Sequence, residues 1–92
     1  MEKEKGEVVE RVVRTWWNYR RARRNDGDSE AYFIVEAYYT DGVLDMITTG
    51  EMKPWGESED ELLMNFKMMA KAFDKPVIDY YTREEIKDGK LD

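Results

Sequence analysis

From residue 15 to residue 49 the chain alternates at the two-residue period of β-strands, and from 58 to 73 it changes to the longer period of an amphipathic helix. Within residues 15–24, Trp17, Tyr19, Arg21 and Arg23 share one face, and Trp16, Asn18, Arg20, Ala22 and Arg24 share the other. Asn25-Asp-Gly-Asp-Ser29 supplies a turn in which Gly27 can take a positive φ. Residues 30–40 are dense in strand formers, with Phe33, Val35, Ala37 and Tyr39 on one face and Tyr32, Ile34, Glu36 and Tyr38 on the other. The charge at Glu36 marks that second face as partly wet. Asp41-Gly42 is a hairpin signal, and residues 43–49 make a third strand.

The helix start is legible at Ser58. A serine followed three residues later by Glu61 has capping-box spacing, and Glu59, Asp60 and Glu61 suit the positive end of the helix dipole. Leu62, Leu63, Phe66, Met69, Ala70 and Phe73 then fall on one apolar stripe, expected to pack on one face of the sheet. Met64 and Met68 lie beside that stripe, where they serve either core packing or an adaptable contact surface. Lys67, Lys71 and Lys75 lie toward the C-terminal end, and Asp74-Lys75-Pro76 stops the helix. Residues 77–81 read as a short fourth strand. Thr82-Arg-Glu-Glu85 repeats the capping spacing and predicts one helical turn over 83–88. Residues 2–14 are readable two ways: Val8, Val9, Val12, Val13 and Trp16 have helical spacing, whereas four valines favour an extended chain.

These elements predict an α+β domain of order β-β-β-α-β. A three-stranded antiparallel meander packs on one amphipathic helix, with a short fourth strand and an N-terminal helix or extension. Residues 1–92 are expected to form one domain, with its core at 15–81 and mobile or accessory ends at 1–6 and 87–92.

Composition narrows the chemistry. The chain has no cysteine and no histidine, which removes disulfides, thiolate nucleophiles, imidazole general bases and the usual zinc ligands. Ser29 and Ser58 are the only serines, and both have turn or cap duties. Glu36 and Asp45 could neighbour one another on adjacent strands, but a paired-carboxylate hydrolase also needs a cleft between its acids. Asp26-Gly-Asp-Ser-Glu30 has the alternating oxygens of a calcium-loop fragment without the spacing or the final bidentate glutamate, so a plain turn is expected. No catalytic residue, metal or cofactor is assigned, and the chain is read as a non-enzyme. No apolar run approaches the length of a membrane span. The charged start is unlike a signal peptide, which makes a cytoplasmic location the simplest expectation.

The net charge of −6 hides an asymmetry. Residues 1–24 carry eight bases against four acids, and residues 25–92 carry seven against seventeen. The bases concentrate in Arg20, Arg21, Arg23 and Arg24, amid aromatic residues. Aromatics with arginine on an open sheet suit stacking of RNA bases, and equally suit protein-interface anchors. The acidic total favours a protein partner or self-association over nucleic acid. The candidate interaction surface is therefore Trp16, Trp17, Tyr19, Arg20, Arg21, Arg23, Arg24, Tyr32, Tyr38 and Trp55.

Trp17-Asn-Tyr-Arg20, Glu36-Ala-Tyr-Tyr39, Gly56-Glu57-Ser58 and Asp74-Lys-Pro-Val77, in that order, resemble a family of short uncharacterised bacterial and phage proteins. The resemblance covers about residues 16–79 and departs in the longer N-terminal extension and the arginine-rich first strand. It implies a W-N-Y-R strand opening the domain and a D-K-P motif after the one long helix. The element order is also similar to that of HicB-type antitoxin domains. The resemblance implies no activity of its own, only a phage or mobile-element setting. The acidic total and the aromatic residues are read as a small acidic protein that binds and modulates a protein partner, with inhibition of host machinery as one form in that setting. Acids such as Glu57, Glu59, Asp60 and Glu61 could there stand in for DNA phosphates. A nucleic-acid-binding module using the arginine–aromatic sheet face, or an antitoxin-like domain, is the alternative, and no membrane partner or small-molecule substrate is implied.

Overall fold

The computed structural model describes residues 12–86. The expectations for residues 1–11 and 87–92, including the mobile ends and most of the N-terminal helix or extension, lie outside the described residues. Val12 to Arg14 carry no regular structure and lead into strand β1, Thr15–Asn25. Strand β2 follows over Glu30–Thr40 and β3 over Val43–Ile47. Helix α1 spans Glu59–Ala70, continues as a 3-10 turn over Lys71–Asp74, and is followed by the two-residue strand β4, Ile78–Asp79. The order is β-β-β-α-β, an α+β fold.

The turns form where the local chemistry requires. Gly27 has φ 93°, and its N–H donates to Asn25 Oδ1 at 3.0 Å. Asp41 and Gly42 both have positive φ in the β2–β3 turn, and Asp41 Oδ1 accepts from the Arg14 N–H at 3.1 Å. β1 and β2 pair antiparallel along their whole length, from Thr15 opposite Thr40 to Asn25 opposite Glu30. β3 pairs antiparallel with β2, with a bulge between Tyr38 and Tyr39. The helix carries the chain to the opposite sheet edge, where β4 lies parallel to β1 through Ala22–Ile78 and Arg23–Asp79. The sheet is thus four-stranded and mixed, in the order β3-β2-β1-β4.

Its main core lies on the face of Ala22, Val35, Ala37 and Tyr39, joined by Ile47 and Ile78, with Phe33, Leu44 and Tyr80 packed against it. Ala22 and Ala37 let other side chains close over the sheet centre, and Val35 and Ile78 are the largest side chains wholly removed from water. The opposite face holds a smaller cluster of Tyr19, Met69 and Ala72, with Ile34 and Met52 at its edge.

That second cluster corrects the expected packing of the helix. Of the apolar stripe only Met69 is buried on the sheet; Leu62 and Leu63 are 42% and 51% exposed, Phe66 56% and Phe73 65%. The physical reason is the receiving face. Arg21, Arg23 and Glu36 interrupt its aromatic residues, Trp17 and Tyr32 stay exposed on it, and only Tyr19 and Ile34 join the cluster with Met69 and Ala72 from the C-terminal end of the helix. The helix is anchored instead by polar contacts: Asn65 Nδ2 donates to Tyr19 Oη at 3.1 Å, and Asn65 Oδ1 accepts from the Trp55 N–H at 2.8 Å.

The capping box forms as read. Ser58 Oγ accepts from the Glu61 N–H at 3.2 Å, and Glu61 Oε1 reaches back to the Glu57 N–H at 2.9 Å. The turn expected over 83–88 does not form within its described part. Asp79 Oδ1 accepts from the N–H groups of Tyr81 and Thr82 at 2.8 and 2.9 Å, and Thr82 Oγ1 accepts from Glu84. Arg83 then takes φ 66°, and Glu85 bridges antiparallel to Ile78. A side chain that caps the backbone locally competes with the helix there.

Candidate functional site

The arginine strand is spent on its own domain. Arg20 is 4% exposed. Its guanidinium donates to Tyr39 Oη at 2.8 Å, to the Pro76 carbonyl at 2.9 Å and to Glu85 Oε2 at 3.2 Å. Arg21 donates to the Lys75 carbonyl at 2.6 Å and lies over the Phe73 ring at 5.0 Å. Arg23 faces Glu30 at 3.7 Å, and Arg24 pairs with Asp26 at 3.1 Å while lying over Phe33 and Tyr80. Each of the four cations thus has a carboxylate, carbonyl or ring partner within the domain, while the Arg24 side chain stays 44% exposed.

The short motifs converge on this network. Arg20 of the W-N-Y-R run holds Pro76 of the D-K-P run and Tyr39 of the E-A-Y-Y run. Tyr19 receives Asn65 of the helix. Gly56 of the G-E-S run sits so close to the helix start that a Cβ there would meet Leu62 N at 2.4 Å and the Glu61 carbonyl carbon at 2.7 Å. In this chain these residues tie the sheet to the helix entry and exit.

The aromatic residues are largely stacked on one another. Trp16 lies on Tyr39 with centroids 4.0 Å apart and planes 9° from parallel, which occupies one of its faces. Trp17 meets Tyr19 edge-on at 5.1 Å and leans on Tyr38 at 6.3 Å. The Tyr38 hydroxyl bonds the Glu36 carboxylate, and that bond holds its phenol above the usual tyrosine range. Tyr32 is exposed opposite Arg23, at the other end of the same sheet face. Glu36 and Asp45 are not brought together: the Glu36 N–H bonds Thr48, while Asp45 accepts from Thr40. Among the described residues no group of three or more acids could hold a metal ion, and no helix is long and apolar enough to cross a membrane.

The open surface lies on α1. Leu62, Leu63 and Phe66 are exposed along it, Met64 and Met68 are exposed too, Phe73 is exposed in the 3-10 turn that follows, with Arg21 over its ring, and Trp55 is 67% exposed in the preceding loop. A shallow cavity of about 560 Å³ is lined by Pro54, Glu59, Asp60, Leu62, Leu63 and Phe66. Its walls are apolar, with two carboxylates at one end. Of the ten residues singled out from sequence, Trp55 lies in the loop before this surface, Arg21 meets it through the Phe73 ring, and Trp17 and Tyr19 share a second cavity of about 320 Å³ with Met68. Leu62, Leu63, Phe66 and Phe73 were assigned to the core, yet one signal pointed away from it. The alternation that places Arg21, Arg23 and Glu36 on one sheet face leaves that face too polar to bury a whole helix stripe. Compared with family models, with curated proteins and with solved structures, the chain matches none.

Proposed function

We propose that this chain is a non-enzymatic interaction domain that binds a protein partner through the exposed apolar face of α1. The observation that supports it is a well-capped helix whose apolar stripe, apart from Met69, stays exposed. A helix of 12 residues is marginal in water unless tertiary packing covers its apolar face. Soluble chains rarely leave so large a contiguous apolar patch without a binding use. Trp55 and Phe66 are the anchors, since exposed aromatic side chains beside a concave surface carry most interface energy. The engagement of all four arginines within the domain weighs against the nucleic-acid alternative.

Site-specific photocrosslinking tests the reading. Benzoylphenylalanine placed at Leu63 should give a protein adduct in cells that naturally carry the chain. The same probe at Val43, which is exposed on β3, should give none. Adding Phe66→Asp should abolish the adduct at Leu63. Equal adducts from both positions, or adducts indifferent to Phe66→Asp, would contradict the assignment.

A further inference from the structure

We infer that the partner covering the exposed apolar face of α1 is a second copy of this chain, docked helix against helix, antiparallel about a two-fold axis near Leu63. The inference rests on the reading of α1 as a docking face and goes further by naming the occupant.

The argument is one of self-complementarity. The apolar stripe is bounded at its start by Glu59 and Asp60 and toward its end by Lys67 and Lys71, all exposed. Helical spacing puts Asp60 and Lys67 on the same flank of the stripe, two turns apart. A parallel copy would set like charges side by side. A copy turned end for end sets Asp60 of each chain toward Lys67 of the other, and it also opposes the two helix dipoles favourably. A patch that matches its own reverse is what an isologous two-fold contact requires. The cavity accommodates this arrangement: its apolar walls of Leu62, Leu63 and Phe66 carry acids at the end where a lysine of the second copy would arrive.

The area is adequate. With aromatic side chains at about 150–250 Å² each, the exposed fractions of Leu62, Leu63, Phe66, Phe73 and Trp55 amount to roughly 500–600 Å² per chain. A symmetric pair would bury roughly 1,000–1,200 Å², at the lower edge of specific interfaces. The small area makes a reversible dimer the expected form, with a dissociation constant on the order of micromolar.

Sedimentation equilibrium of the full chain from about 1 to 300 μM, roughly the range over which a micromolar dimer fills, tests this. The native chain should pass from monomer to dimer. Phe66→Asp should weaken association at least about a hundredfold, with its circular dichroism spectrum retained because Phe66 is exposed. Asp60→Lys alone and Lys67→Asp alone should each weaken it about tenfold, and the double reversal should restore it to within about threefold. A native chain monomeric throughout, a Phe66→Asp dimer of native strength, or a double reversal no better than the singles would each overturn the proposal. The Leu63 crosslink separates this failure from that of the broader reading. A Phe66-dependent adduct to a different protein overturns the self-pairing and keeps the docking face. An adduct to residues 1–11 of the same chain overturns both.

Discussion

Arg20 tests most sharply whether the arginine strand is structural. Replacing it with methionine keeps the length of the stem and removes every donor. The Tyr39 hydroxyl, 2.8 Å away in a buried contact, then loses a charged partner that water does not replace, and the part-buried Pro76 carbonyl, 2.9 Å away, loses one that water replaces in part. Hydrogen bonds from a charged group are worth about 1.5–3 kcal/mol each, so these two amount to about 3–4 kcal/mol at the lower end. The Glu85 leg adds little, because that side chain is 46% exposed and rehydrates. Part of the loss is offset by no longer burying a guanidinium whose Nε has no partner among the described residues. The net cost is about 2–3 kcal/mol, which for a domain this size lowers the melting temperature by about 10–20 °C. Arg24→Met, by contrast, removes only a surface pair with Asp26 and costs less than about 1 kcal/mol. Thermal melts followed by far-ultraviolet circular dichroism at equal protein concentration give the comparison. An Arg20→Met chain melting within a few degrees of the native one, or equal losses from Arg20→Met and Arg24→Met, would refute the structural assignment.

Three further outcomes follow from the helix entry and the closing turn. Gly56→Ala should cost about 1–3 kcal/mol by denaturant titration, because its Cβ would press on the backbone of Glu61 and Leu62 rather than on a movable side chain. Ser58→Ala should cost about 1 kcal/mol by leaving the Glu61 N–H without its cap. The N–H groups of Thr82 and Tyr81 hold the Asp79 carboxyl below the ordinary carboxylate value. Its contribution is therefore present above about pH 4 and is lost as pH falls through the lower folded value; Asp79→Asn should flatten that acid limb in pH-dependent melts.

The strands were legible because each rests on local signals: alternation, the Asp-Gly turn and the serine cap all act within a few residues. The sheet edge chosen by β4 was not legible, since Ile78 finds Ala22 across more than fifty residues of chain, and no spacing rule encodes that pairing. The orientation of α1 was misjudged for a related reason. Periodicity shows that Leu62, Leu63 and Phe66 share a side, but not what lies opposite. The deciding information sat on the other element, where Arg21, Arg23 and Glu36 make the receiving face polar. The partners of the arginines were not legible either. Their clustering gives no sign of the Pro76 and Lys75 carbonyls and the Tyr39 hydroxyl, which accept hydrogen bonds from Arg20 and Arg21 in the fold. Thr82 shows a local rule overridden by its neighbours: its hydroxyl accepts the Glu84 N–H as a cap would, but Arg83 takes φ 66° and Glu85 bridges to Ile78 instead of continuing a helix.

The most direct measurement of the central claim is thiol labelling of Leu63→Cys, which is specific because the native chain has no cysteine. In dilute protein the thiol should react with a maleimide at nearly the rate of an unfolded control, because the apolar face of α1 is exposed in the single chain. Its reaction should slow as protein concentration rises and the face becomes covered. Slow labelling at every dilution, limited by unfolding, would mean that the chain buries this face itself and would contradict the account.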